Sequence, residues 1–443
     1  MPLPMIALAA LLMAALVLWR PVTPLVLLGL LAPIGMTQLP ASLDVVTVLS
    51  GLVVVAAAWE ALIGRASLLP TSAAALAASI WTLGVLGSVA FSDDLARAAV
   101  LGTWQILAAW TAIGISVLAR TEQRMQVSVA AVLLGASIVA GSGVIDGVSS
   151  RGAFNGSVVE GRAIGVFSQP NEYGLYTAML WAFSLVLACL VHSWLKWLAA
   201  LCSVLSLAGL AASFSRGAWM GAALAAVVMA ILVPQTRRPQ TIGLAIGLGM
   251  LSAALVIVPF WQLPRLLLDR VLSVFAGGTN PYDNRPALMA EGLREWQENL
   301  LFGVGPNMYP VQSRSLASET RTLEGQHAHN LVLTVGAEQG IVGLVALGVF
   351  VAAVVVAFSS ARRFALGRDG ADIHRVPLGA AVTMSAAAAL VALVGAGVVD
   401  YPLRNALTRT TAWMFIGLAL AGHRSLRYRQ DNQQARSIPE PVH

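Results

Sequence analysis

Apolar runs of 16 to 29 residues recur along this chain, separated by short polar breaks. A helix needs about 20 residues to cross a hydrocarbon core of about 30 Å, so each run spans or nearly spans a bilayer. Candidate spans fall at 3–19, 22–37, 42–64, 70–91, 97–119, 126–146, 171–191, 194–214, 216–233, 241–260, 330–358, 376–398 and 406–422. The alternating short strands of a membrane barrel are absent from the pattern. The expected fold is therefore an all-α integral membrane protein with about 12, or 13, transmembrane helices. The first two runs are short and divided only by Arg20-Pro21, so they form one hairpin or one of them fails to cross. With no 20–50-residue repeat, the chain reads as N-terminal membrane helices (1–260), one large loop containing helices (261–329), C-terminal membrane helices (330–422) and a tail (423–443).

Composition strengthens this reading. The chain is 58% hydrophobic and only 11% charged, with a mean hydropathy of +0.78, whereas soluble domains are about a quarter charged. The net charge of +6 comes from 27 basic residues that include a single lysine, Lys196. Topology accounts for that excess, so nucleic acid is excluded as a partner. Cys189 and Cys202 lie inside apolar spans and read as buried thiols, with no disulfide framework or metal site. No small-residue cleavage site precedes Arg20, so the first run is expected to be retained.

The arginines set an orientation. Alternate short loops hold Arg65, Arg120 with Arg124, Lys196, Arg237-Arg238, the cluster Arg362, Arg363, Arg368 and Arg375, and finally Arg424, Arg427 and Arg429; these face the cytoplasm. The opposite parity places 92–96, the glycine-rich 147–170, the Ser215-Arg216 junction, 261–329 and the turn from Asp400 to Asn405 outside. The external loops are longer and carry Trp261, Tyr282, Trp296 and Tyr309, together with arginines held against the topological bias. Those cations call for a partner, either an anionic ligand or the acids of the same loop.

In the long loop, the stretch from Asn284 to Trp296 reads as an amphipathic helix with Pro286 in its first turn and Leu288, Leu293 and Trp296 on its apolar side. Phe302-Gly303-Val304-Gly305-Pro306-Asn307 then makes a turn. Asn330 suits the N-cap of the next membrane helix. Gly336, Gly340 and Gly343 are spaced for close packing against a neighbour.

Candidate chemistry gathers where that loop re-enters the membrane, at Gln326-His327-Ala328-His329-Asn330. A neutral His329 at a helix start can act as a general base; the alternative is an interfacial histidine that hydrogen-bonds the loop. His327 is the weaker candidate. Arg216, between two spans with almost no loop, can hold phosphate bidentately or can snorkel to the interface. Arg285 offers the same fork or an ordinary pairing with Asp283 or Glu291. Asn171, in Gln169-Pro170-Asn171, is read as a helix cap beside an anion-receptive N-terminus. Arg404, in the 400–405 turn, is a supporting candidate with Asn330 and His327. Glu338, nine residues past His329, falls on the opposite helix face and reads as packing support. Asp93-Asp94 is the lone paired-acid signal, and no neighbouring ligand completes a metal set.

His329-Asn330, then nine residues, then Gly340-Ile341-Val342-Gly343 resembles the signature of bacterial O-antigen ligases. Ser215-Arg216-Gly217, Arg285 opening a helix ahead of Gly303-Val304-Gly305-Pro306, and Gln169-Pro170-Asn171 are similar to the wider ligase/polymerase superfamily. The resemblance covers roughly residues 160–405 in order and topology. It implies a GT-C-type glycosyltransferase of the inner membrane with a periplasmic active site. The donor would be an undecaprenyl-diphosphate-linked glycan and the acceptor a sugar hydroxyl on lipid A-core, with no cofactor and no metal. His329 matches the family's proposed base, and Arg216 and Arg285 match its diphosphate-binding arginines. A polymerase or a protein O-oligosaccharyltransferase of the same superfamily is the alternative. A lipid-linked glycan transporter is the rival class; it predicts broken or charged mid-membrane helices and internal symmetry, neither of which the sequence displays.

Overall fold

A computed structural model describes residues 19–39, 43–67, 72–148, 162–257, 285–311, 327–366 and 376–437, with isolated positions 265, 268 and 272. The expected span at 3–19 except its last residue, most of the 261–329 loop with Trp261 and Tyr282, Asp283, and Arg368 and Arg375 lie outside the described residues.

The membrane helices are α1 (Thr23–Leu30), α2 (Val45–Leu62), α3 (Ser72–Ala90), α4 (Leu95–Leu118), α5 (Glu122–Val148), α6 (Pro170–Leu190), α7 (Leu195–Ala212), α8 (Arg216–Leu232) and α9 (Pro239–Ile257). Then come the loop helix α10 (Arg285–Glu298) and the C-terminal α11 (Leu331–Ala365), α12 (Leu378–Gly397) and α13 (Ala406–Ser437). Among the described residues, eight helices are long and apolar enough to cross a membrane, with shorter apolar segments at Leu76–Ala90 and Arg216–Leu232. The chain is therefore an all-helical, multi-pass membrane protein among its described residues. Side-chain caps place several starts. Asp44 Oδ1 accepts from the Thr47 amide at 2.7 Å, and Asp94 Oδ1 from the Arg97 amide at 3.0 Å.

Two segments depart from the apolar pattern. The run at 22–37 folds as the eight residues of α1, about 12 Å long at about 1.5 Å per residue, too short to cross. Pro33 follows in a 3-10 turn, Ala32–Ile34, that redirects the chain. The last run continues as helix through Ser437, well past the expected end at 422. Its polar stretch Thr408-Arg409-Thr410-Thr411 keeps α13 out of the most hydropathic set.

α6 and α12 form the centre of the bundle, each 83% buried, while α9 lies on the rim at 11%. α12 packs on α6, α8 and α13, and α13 reaches across to α4. Cys202 is buried and Cys189 half-buried, both unbridged. Helix ends gather at two opposite faces. At one, Glu60 is fully buried and accepts from Arg120 at 3.2 Å and Arg124 at 3.4 Å. Arg424 there donates to the carbonyls of Ser116 and Ser67. At the other, α11 begins beside the turn that joins α12 to α13.

Candidate active site

The start of α11 fixes the site. Asn330 has an extended backbone, and its Oδ1 accepts from the Leu333 amide at 3.0 Å as the expected N-cap. Its Nδ2 donates to the Val398 carbonyl at 2.9 Å, so one side chain ties the helix start to the α12–α13 turn. His329, just before the cap, is held at φ +47°, a left-handed conformation uncommon outside glycine. Strain of that kind persists only where the surroundings enforce it. It aims the imidazole at the turn, where Nδ1 lies 3.3 Å from Asp400 Oδ1, each side chain 19% exposed.

A carboxylate on Nδ1 favours the tautomer with the proton there and leaves Nε2 able to accept one. Burial alone would raise the Asp400 pKa. The hydrogen bond and charge of His329, the Tyr401 amide and the charge of Arg285 outweigh it, so Asp400 sits below its ordinary value. Asp400 is a site candidate that the sequence does not single out. It was visible only as the first residue of an external turn, with about seventy residues between it and its histidine.

The two predicted arginines come to the same turn from different helices. Arg285 opens α10 close enough for its charge to act on Asp400. Arg216 opens α8, and Gly217 beside it faces the Val399 side chain so closely that an added Cβ would stand 2.8 Å from it. Both arginines occupy the first residue of a helix, where the macrodipole disfavours a cation.

Arg404 and Asn171 brace the site from below. Arg404 donates through Nη2 at 2.7 Å and Nε at 3.1 Å to Glu172 Oε1, locking the turn to the start of α6. Asn405 and Ser168 complete the coordination of Glu172 Oε2. Asn171 does not cap α6: Pro170 takes the first helical position, which moves the cap back to Gln169. Asn171 Oδ1 instead accepts from Arg162 Nη2 at 2.8 Å, and Arg162 Nε donates to the Ser213 carbonyl at 2.9 Å. Arg162, unnoticed in the sequence, thus joins α6 to the junction that carries Arg216.

His327 is buried rather than in the loop surface, its ring 5.0 Å from that of Tyr401 and its Nδ1 3.9 Å from Glu338 Oε1. Burial, then the charges of Arg404 and His329, lower its pKa to about 3. It stays neutral in all working conditions. Glu338 meets His327 rather than His329.

α10 is clamped over α11 by its small faces. Trp296 packs on Gly336, Gly292 on Ala328, and the Tyr309 hydroxyl donates to the Leu288 carbonyl at 2.6 Å. Leu288 is buried as expected, but Leu293 faces outward at 43% exposure. Glu291, one expected partner for Arg285, is taken by Arg294 Nη2 at 2.6 Å and Nε at 2.9 Å. Gly340 packs against a loop rather than a helix: at φ +64° it breaks α11, and it lies too close to the Leu301 backbone for any Cβ. The segment 300–305 fills the break. Val304 and Gly305 amides donate to the Ala337 and Glu338 carbonyls, and the Ile341 amide donates to Leu300. Gly303 touches the Glu338 backbone too closely for any Cβ. The break is closed by protein backbone, so it satisfies the freed groups rather than opening a path.

Among the described residues, no three His, Cys, Asp or Glu side chains converge to hold a metal ion. Asp94 is instead the α4 cap.

Residues 201–348 match a family model described as O-antigen ligase. The match contains Arg216, Arg285 and His329, while Asp400 and Arg404 lie beyond it. No curated protein matches the chain significantly. The family match, over about a third of the chain, supports membership of the O-antigen ligase superfamily of membrane glycosyltransferase-like enzymes.

Proposed function

We propose that this chain is an O-antigen ligase that moves a glycan en bloc from undecaprenyl diphosphate to a sugar hydroxyl of lipid A-core, on the periplasmic face of the inner membrane. The observation that carries the reading is the His329 Nδ1–Asp400 contact of 3.3 Å beside two helix-opening arginines. His329 Nε2 takes the proton of the acceptor hydroxyl as its oxygen attacks the anomeric carbon. The bond from that carbon to the diphosphate oxygen breaks, and the configuration inverts. The proton rests on the imidazolium, which Asp400 stabilises. Arg216 and Arg285 offset the charge growing on the departing diphosphate, the role a divalent ion fills elsewhere, so the transfer runs without metal.

An apolar cavity of about 710 Å³ supports a polyprenyl donor. It begins at Leu331 and Leu403, beside the site, and runs between α8, α11 and α12 to Arg362 and Arg363 at the opposite face. Its walls suit an isoprenoid chain with the diphosphate at the His329 end.

The test is transfer by purified protein from lipid-linked glycan to lipid A-core in excess EDTA. Retained transfer with product of inverted configuration is expected. Activity lost in chelator and restored by Mg²⁺ would overturn the arginine mechanism. Polymer made from lipid-linked repeats alone would assign the polymerase reaction instead.

A further inference from the structure

The face opposite His329 carries a second cavity that the proposed reaction does not use. It encloses about 300 Å³ between the end of α6, the first turn of α7, the 3-10 turn Pro234–Arg237 and the first turn of α9. Its polar lining comes from His192, Lys196, Gln235, Arg238, Gln240 and Thr241. Gln235 places it at the far face, since its Nε2 donates at 2.6 Å to the Ala365 carbonyl, at the distal end of α11. No acidic residue lines it among the described residues.

The neighbouring cations are otherwise engaged, which makes the difference informative. Arg237 donates to the Ile231 carbonyl and Arg362 to Leu232, so both close the end of α8. Arg238 has no ion-pair or hydrogen-bond partner for its side chain among the described residues. Lys196 lies 5.7 Å over the Trp197 ring and also faces the carbonyl end of α6. That helix end offsets part of its charge. The first turns of α7 and α9 add positive potential, and the sum favours an anion.

A second, apolar crevice of about 110 Å³ continues from the same place. It shares Cys189 and Thr241 with the polar cavity and runs between α6, α8 and α9, past Trp181, Ala226 and Ala245. A polar cationic pocket that opens into an apolar crevice matches an amphiphile better than a free ion. The crevice also lies under α9, the least buried membrane helix.

We infer that Lys196 and Arg238 hold the phosphate of an anionic phospholipid from the leaflet opposite the candidate active site, with one acyl chain in the crevice beneath α9. Free phosphate shares the headgroup chemistry but would leave the crevice without an occupant. The lipid bridges the rim helix to the body of the bundle, as basic pockets between membrane helices do for acidic headgroups.

The experiment measures binding of short-chain phosphatidylglycerol to the purified full chain in neutral detergent by native mass spectrometry, with inorganic phosphate as competitor. Replacing both cations (Lys196→Ala with Arg238→Ala) is expected to weaken the lipid about 30-fold, at about tenfold or less per basic residue. Ala245→Phe, which fills the crevice and leaves both cations, is expected to weaken the lipid while sparing glycan transfer. Equal lipid binding by the wild-type protein and the double variant would overturn the site. Displacement of the lipid by phosphate, together with no effect of Ala245→Phe, would assign the pocket to a free anion and overturn the lipid reading.

Discussion

The two faces of the bundle use the same residue types to opposite ends. At the far face, arginines sit where helices finish: Arg362 and Arg363 in the last turn of α11, Arg237 closing the turn after α8. There the macrodipole welcomes a cation, and Arg237 and Arg362 donate to carbonyls at the end of α8, while Arg120 and Arg124, beside the start of α5, pair with the buried Glu60. At the near face, Arg216 and Arg285 sit where helices begin, against the dipole. The first arrangement holds helix ends together. The second sets positive charge against the helix dipole beside the turn that carries Asp400. What each guanidinium meets, rather than the number of arginines, distinguishes the two faces.

The strongest way to break this contrast is to remove the base. His329→Ala is expected to lower transfer by about 10³-fold, within the range general bases supply, and to leave the unfolding temperature unchanged. Asp400→Asn should cost less, since it misdirects the tautomer but keeps the ring. Full activity in the His329 variant, measured with lipid-linked donor, would end the base assignment.

A mirror-image experiment belongs to the other face. Glu60→Ala leaves Arg120 and Arg124 without their buried carboxylate, and breaking a buried pair costs about 3 kcal/mol. Thermal unfolding in detergent should shift clearly downward, while transfer per folded molecule stays near wild type. Loss of activity in step with His329→Ala would erase the distinction between the faces.

A finer cut comes from Arg→Lys exchange. Arg216→Lys and Arg285→Lys each keep the charge but lose the bidentate fork, so transfer should fall by about tenfold or more. Arg237→Lys, at a helix end, should change transfer by less than about twofold. Similar losses at all three positions would show that charge alone is sensed.

The smallest expected effect concerns His327 and pH. Its folded pKa of about 3 lies below the ordinary 6.5, so the unfolded chain binds the proton more readily. Stability therefore falls as pH drops from about 6.5 towards 3, and is unaffected by this group above that window. His327→Gln should flatten the acid side of an unfolding-temperature profile and reduce transfer only mildly. An unchanged profile would mean that His327 is not buried neutral.

Much of this protein was legible before any coordinates. Apolar runs of membrane-spanning length fix an all-helical, multi-pass chain, because backbone groups in lipid must bond within their own helix. Alternating arginine loops already separate two faces. The Asn330 cap, Arg216 and Arg285 at helix starts, and His329 ahead of the cap all follow from local rules that act within a turn or two.

What escaped the sequence depends on contacts between distant segments. Asp400 gains meaning only when Asn330 ties α11 to the α12–α13 turn and brings the carboxylate to His329. Arg404 and Glu172, far apart in the chain, join only through α6 and α12 packing. Gly340 reads in the sequence as a packing glycine alone; that it also breaks α11 depends on the loop at 300–305, whose amides donate to the carbonyls the break frees. Hydropathy and capping are properties of neighbours along the chain and so are written in the sequence. A carboxylate beside its histidine is a property of neighbours in space, and only the packed helices supply it.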